Sequence, residues 1–224
     1  MTPPTLYRDP EAHGYLDQPI DDPHQQAIVD AVLHEAGVSA GDCVLEVGAG
    51  TGRYTRLLLQ RELRVIAAEP DETLRGRLVQ QVGETCRISA SDAAAVIPDE
   101  VDAVVGFHVL HHLDRAALDG LQTRLMRAAS QRSWKGAAFL EPNPLNLLYL
   151  PQIILTSGMR LREEARLWAP RFYGRAVGRL HVPCHVGLVP PGVARRTRLS
   201  PKRPCRVPGR WCPWSAYRVV AQRR

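Results

Sequence analysis

From Gly41 onward the chain alternates short apolar runs with longer amphipathic ones, and this alternation restricts the fold more than any other feature. The short runs are residues 43–47, 64–68, 86–90, 103–107 and 137–140, each of strand length. Residues 53–60, 72–82 and 115–129 read as helices between them. In the last of these, Leu118, Leu121, Leu125 and Met126 fall on one side, and Asp114 is placed to cap it. An earlier helix begins at Asp22-Pro23-His24-Gln25, carries the stripe Ala27, Ile28, Ala31, Val32 and Leu33, and stops at Gly37. Strands joined by helical crossovers make a parallel sheet covered on both faces. Right-handed crossovers then bring the carboxyl ends of the strands, and any ligand, to one edge.

One turn on that edge is distinctive. Val44-Leu45-Glu46-Val47-Gly48-Ala49-Gly50-Thr51-Gly52 is a buried strand ending on an acid and running into three glycines at alternate positions. Glycine serves where main chain takes positive φ or lies against a ligand with no Cβ between. A dinucleotide fingerprint, Gly-x-Gly-x-x-Gly, would need its last glycine where Arg53 stands.

Glu69 closes the second strand, seventeen residues past Gly52 and next to Pro70. A carboxylate there can accept from both hydroxyls of a ribose; the plainer reading is a solvated turn acid. Asp92, followed by Ala93, stands after the third strand, where it can accept from an adenine amino group or cap a helix. Glycine turn, Glu69 and Asp92 together make a three-point nucleoside reader. In Glu141-Pro142-Asn143-Pro144, after the fifth strand, Glu141 and Asn143 can reach a polar group of a second substrate, or the run simply builds a rigid turn. His108, His111 and His112 are candidates for a general base; their spacing also fits one helix face, but no metal site is expected.

Charge divides the chain in two. The net charge is +6, yet from Ala165 to Arg224 there are fourteen Arg and Lys and no acid, leaving the preceding part at about −8. Residues 1–21, with four prolines, read as an irregular arm, 22–183 as the core domain, and 184–224 as a basic Pro/Arg-rich segment with a final strand at 215–221. Prolines beyond Pro183 argue against a central strand or a helix there. The first residues lack the apolar stretch of a secretory signal, and the five cysteines are scattered without a Cys-x-x-Cys pair. A cytoplasmic location is therefore expected. The apolar run 145–156 is too short to span a bilayer; core packing or a cap over a hydrophobic substrate are its readings, with a membrane-surface approach the weaker one.

In order and spacing, Glu46 to Gly52, Glu69, Asp92 and the strand-four segment Val104-Val-Gly-Phe-His-Val-Leu-His-His-Leu113 resemble the successive motifs of class I S-adenosylmethionine-dependent methyltransferases, small-molecule type. The likeness covers roughly residues 24–150. It implies a Rossmann-like, doubly wound, mostly parallel seven-stranded sheet with helices on both faces and an antiparallel last strand. It also implies S-adenosylmethionine as cofactor. Glu46 and the main chain of Gly48, Ala49, Gly50 and Gly52 would hold its methionine end. Glu69 with Pro70 would hold the ribose, Asp92 with Ala93 the adenine, and His108 would lie beside the methyl group. The expected partner is a small-molecule acceptor. Nucleic acid is disfavoured, because Gly106-Phe107-His108-Val109 stands where base-amino methyltransferases resemble Asn/Asp-Pro-Pro-aromatic. A catalytically silent cofactor-binding scaffold is the non-enzymatic alternative. The run 193–210 departs from the family, which has an acidic amphipathic helix there. A local slip of reading frame, closed before Trp214, accounts for such a composition, and resequencing an uninterrupted frame would remove that idea.

Overall fold

The computed structural model describes residues 23–90, 97–143, 146, 181–187, 205–208 and 217–223. The sequence-level readings of the 1–21 arm, the Asp22 cap, Asp92 and Ala93, and most of the 145–156 run and the basic segment lie outside these residues.

Twelve elements follow in order: α1 (Pro23–Ala36), β1 (Cys43–Val47), α2 (Arg53–Leu59), β2 (Arg64–Ala68), α3 (Glu72–Val82), β3 (Arg87–Ser89), β4 (Ala103–Phe107), α4 (Arg115–Ala128), β5 (Gly136–Pro142), β6 (His181–Gly187), β7 (Cys205–Pro208) and β8 (Tyr217–Arg223). Single 3-10 turns occupy Gly83–Thr85 and Leu110–His112. The strands form one sheet in the order β3-β2-β1-β4-β5-β8-β6-β7. The first five in that order pair in parallel, and β8 runs antiparallel to β5 and β6. This is the Rossmann-like, doubly wound, mostly parallel sheet that the alternating pattern requires.

The strand count departs from the expected seven. Cys205–Pro208 adds an eighth by pairing antiparallel with Cys184–Gly187, on the outer edge of the sheet. Proline is tolerated on an edge, where its missing N–H removes no ladder bond. Pro183 sits inside β6, and the register with β8 shifts between His181 and Cys184, so the ladder is interrupted where proline cannot donate. At the other edge β3 is three residues rather than five, paired only with β2. Strand β5 is longer than its apolar run, because β8 pairs with it from Gly136 through Pro142 and buries Glu141 with the apolar residues.

Alternate residues of the central strands feed two cores. On one face Val44, Val65, Ala67, Val105, Ala138 and Leu140 meet Ile28, Val29 and Val32 of α1, Leu57 and Leu58 of α2, and Leu78 of α3. On the other, Leu45, Ile66, Val104, Phe139 and Val220 meet Leu118, Leu121 and Leu125 of α4, with Trp134. Burying each such side chain stabilises the fold by about 1.5–3 kcal/mol. The termini of the helices are fixed locally. Asp71 accepts from Leu74 N at 3.0 Å, Asp114 accepts from Ala117 N at 2.8 Å, and α1 ends with Val38 N donating to Leu33 O and Gly37 N to His34 O. No helix among the described residues is long and apolar enough to cross a membrane.

Candidate functional site

The carboxyl edge of the sheet carries two constellations, one on each side of the β1–β4 boundary. The first is built on the glycine turn. Gly48, Gly50 and Gly52 all take positive φ, 68°, 59° and 92°, a region that side chains with a Cβ rarely adopt. Their surroundings differ. A Cβ on Gly48 would lie 2.6 Å from Val109 Cγ2, and one on Gly52 would lie 2.8 Å from Leu78 Cδ1. A Cβ on Gly50 would meet nothing within 4 Å. Two of the glycines thus admit close packing, and the middle one exposes bare main chain to open space.

The turn is tied to β2. Gly48 N and Ala49 N both donate to Ala68 O, at 2.9 and 3.1 Å. Glu69 accepts from Gly50 N through Oε2 at 2.8 Å and from Asp71 N through Oε1 at 2.9 Å. Burial pushes the Glu69 carboxyl above its ordinary value, against the pull of those two amides. Glu46 is deeper, 1% exposed, and accepts from Thr55 Oγ1 at 2.6 Å. Burial raises it to about 8; the Thr55 hydrogen bond opposes that shift and the Glu69 charge adds to it. At neutral pH this carboxyl is mostly protonated.

The second constellation closes β4 and β5. His108 has φ 55° and donates its N–H to Leu140 O at 2.8 Å. The next two amides, Val109 N and Leu110 N, donate to Glu141 Oε1 at 3.1 and 2.8 Å. His111 Nδ1 lies 2.6 Å from Glu141 Oε2, with both side chains buried. Burial works against the Glu141 charge, but His111 and these hydrogen bonds more than offset it and hold the carboxyl below its ordinary value. His108 is driven the other way. Burial, helped by the neighbouring histidines and Arg53, lowers it to about 4 against the pull of Glu141, so the ring is neutral at physiological pH. Around it lie Tyr54, 6.3 Å away between ring centroids, and Tyr217, edge-on at 5.1 Å.

This geometry coincides with a family signature. Residues 44–131 match the family model described as a methyltransferase domain. Over that stretch, 88 of its 224 residues, the chain is similar to methyltransferase domains. An uncharacterized methyltransferase of Geobacillus thermodenitrificans is 33% identical over 92 residues, which is 40% of this chain and 43% of that protein. A ribosomal RNA small subunit methyltransferase A of Anaeromyxobacter dehalogenans is 39% identical over 70 residues, 31% of this chain and 25% of that protein. The chain thus matches less than half the length of these relatives. Among solved structures, a putative methyltransferase from an antibiotic biosynthesis pathway of Anabaena variabilis aligns at a TM-score of 0.49 with 21% identity, covering 72% of this chain and 65% of that one.

Within residues 44–131, Gly50 leaves its main chain open where a Cβ would stand, hydrogen-bonded to the carboxyl of Glu69. That donor set fits a cationic sulfonium nucleoside: acids for its positive groups and hydroxyls, and uncovered backbone for close approach. The structure brings Gly48, Ala49, Gly50, Gly52 and Glu69 into one hydrogen-bonded unit, with Pro70 following Glu69. Glu46 is buried and hydrogen-bonded to Thr55. Glu141, a candidate to reach an acceptor, instead directs both oxygens inward to Val109, Leu110 and His111. Asn143 is buried beside it in the chain. The sequence reading passed over Thr55, Tyr54 and Tyr217. Thr55 and Tyr54 fall in the first turn of α2, where a helix entering from a ligand-holding loop must point something at the loop; Tyr217 was visible only as a strand residue.

Proposed function

We propose that this chain transfers the methyl group of S-adenosylmethionine to a small-molecule acceptor in the cytoplasm. The observation that carries the reading is the open, positive-φ main chain at Gly50, tethered by its N–H to the Glu69 carboxylate. In this reading Glu46 and residues 48–52 hold the methionine end, Glu69 and Pro70 the ribose, and His108 lies beside the reacting methyl group. Asp92 and Ala93 take the adenine. The cofactor supplies an activated methyl group on a positive sulfur, whose charge vanishes as the methyl moves in line to a nucleophile. Excluding water from the reacting atoms therefore favours transfer, and the protein's own work is positioning.

Isothermal titration with S-adenosylmethionine and S-adenosylhomocysteine tests the cofactor site; neither binding would refute it. Methyl transfer from labelled cofactor to a metabolite panel then separates an enzyme from a silent scaffold.

Methylation of RNA is the second reading, supported by the likeness to ribosomal RNA methyltransferases and by the basic stretch after Ala165. Label transferred to small ribosomal subunit RNA, and to no metabolite, would select it.

A further inference from the structure

Beside the glycine turn the carboxyl edge holds a group of rings gathered around His108. Tyr54 lies flat on the buried Phe107, with centroids 4.1 Å apart and planes 9° from parallel. His108 stands at 47° to Tyr54 and at 63° to Tyr217. Tyr54, His108 and Tyr217 each keep part of their surface, and they come from α2, the β4 exit and the start of β8. Ordinary core packing needs no unusual backbone, whereas His108 is held at φ 55°, a strained region for a residue with a Cβ. The bond to Leu140 O and the Glu141 grip on the next two amides keep it there. Val109, next in the chain, is the residue against which Gly48 packs, so these rings adjoin the donor cradle.

Charge on this side is also specific. The guanidinium carbon of Arg53 lies 5.9 Å from the Tyr54 centroid. Burial dominates at both rings, lowering His108 and raising Tyr217, and the positive charge of Arg53 adds to the first shift and opposes the second. Glu141 directs its oxygens to Leu110 and His111, and Glu69 holds the main chain of the turn.

We propose that Tyr54, His108 and Tyr217 form the acceptor subsite, and that it takes a planar hydroxyaromatic whose oxygen is ionised when it meets the methyl group, with Arg53 as counter-charge. This rests on the methyltransferase reading above and names its substrate class. In the step, the aryl oxide oxygen forms a bond to the methyl carbon as the carbon–sulfur bond breaks, and the bonding pair stays on sulfur. Anion and cation become a neutral aryl methyl ether and a neutral thioether, with no proton left to remove. His108, neutral near physiological pH, then acts as a wall against the acceptor ring, and no general base is required. An aliphatic alcohol, far too weak an acid to ionise, finds neither an ionised form nor a strong base.

Binding of probes to the protein loaded with S-adenosylhomocysteine tests this, using saturation-transfer NMR at pH 8 with 2-naphthol, its saturated counterpart decahydro-2-naphthol, and 4-nitrophenol, which is ionised there. The two aromatic probes are expected to bind at least about tenfold more tightly than the saturated one. Tyr217→Leu should weaken both aromatic probes by about tenfold, and Tyr217→Phe should restore them. Arg53→Met should weaken 4-nitrophenolate by about tenfold while leaving the neutral 2-naphthol within about threefold. Every variant should hold S-adenosylhomocysteine as the wild type does. Equal binding of decahydro-2-naphthol, or no aromatic binding to wild-type protein that does hold S-adenosylhomocysteine, overturns this inference alone. Failure of the wild type to hold S-adenosylhomocysteine overturns the methyltransferase reading and this inference with it.

Discussion

The two halves of the carboxyl edge are built on different principles. The donor half is nearly all main chain from one contiguous stretch, residues 46–52, with a single carboxylate from the neighbouring strand bracing it. The acceptor half is nearly all side chain, gathered from α2, the β4 exit, β5 and β8, and braced by one buried acid, Glu141. A main-chain cradle recognises what every ligand of a family shares, because backbone geometry tolerates little change. A side-chain site can be altered one residue at a time without disturbing the turn beside it.

The largest effect that tests this division is expected at the middle glycine. Gly50→Val puts branched carbon into the open space of the cradle at φ 59°, and should weaken S-adenosylhomocysteine binding by at least about 100-fold with the fold retained. Gly48→Val drives its Cβ into Val109 and should cost both binding and stability, and the double variant should bind nothing. Titration calorimetry with thermal melts separates the two. Undiminished affinity in Gly50→Val would remove the cradle from this turn.

Next in size is the brace of the acceptor half. Glu141→Ala leaves two buried amides and His111 without their partner and should lower stability by about 3 kcal/mol, read from urea melts. If the halves are independent, the protein that remains folded should still bind S-adenosylhomocysteine within about threefold of wild type. Val109 is where independence is most exposed, since it both donates to Glu141 and packs on Gly48. Affinity falling in step with stability would show that the two halves are one mechanical unit.

The same contrast explains what could be read from sequence. Strands β1, β2 and β4 and helix α3 coincide with their apolar patterns to the residue, because each is short, bounded by turns and buried or striped in the ordinary way. The glycine turn was legible because its geometry is local: three glycines and two acids at fixed spacing. The acceptor half was not. That Tyr54 and Tyr217 approach His108 depends on β8 pairing with β5 in a register that sets Tyr217 opposite Pro142, and no local pattern encodes that register. The burial of Glu141 was hidden for a related reason. An acid at the end of a strand reads as surface until the pairing of β8 with β5 encloses it, after which it can only serve its own neighbours. The eighth strand escaped because its one proline, Pro208, forbids a central position but not an edge.

The smaller effects concern Glu46 and depend on pH. Its folded value, raised to about 8 from an ordinary 4.5, means the native state retains a proton that the unfolded chain has released, so stability should fall as pH rises between those values. His108 acts in the opposite sense but only below its ordinary 6.5, because its folded value is near 4. Between pH 6.5 and 8 the Glu46 contribution is therefore unopposed by His108, and the loss across that window should be about 2 kcal/mol. Glu46→Gln, neutral at every pH, should flatten this part of a melting-temperature profile; an unchanged slope would place the titrating group elsewhere. Saturating S-adenosylmethionine should flatten it too, because a bound cation favours the ionised carboxylate. Thr55→Val is the mildest of these changes. It removes the hydroxyl whose hydrogen bond holds the Glu46 value down, so it should move the falling limb to higher pH and lower stability by about 1 kcal/mol. A limb that stays in place would mean that this hydroxyl has no influence on the acid behind the donor turn.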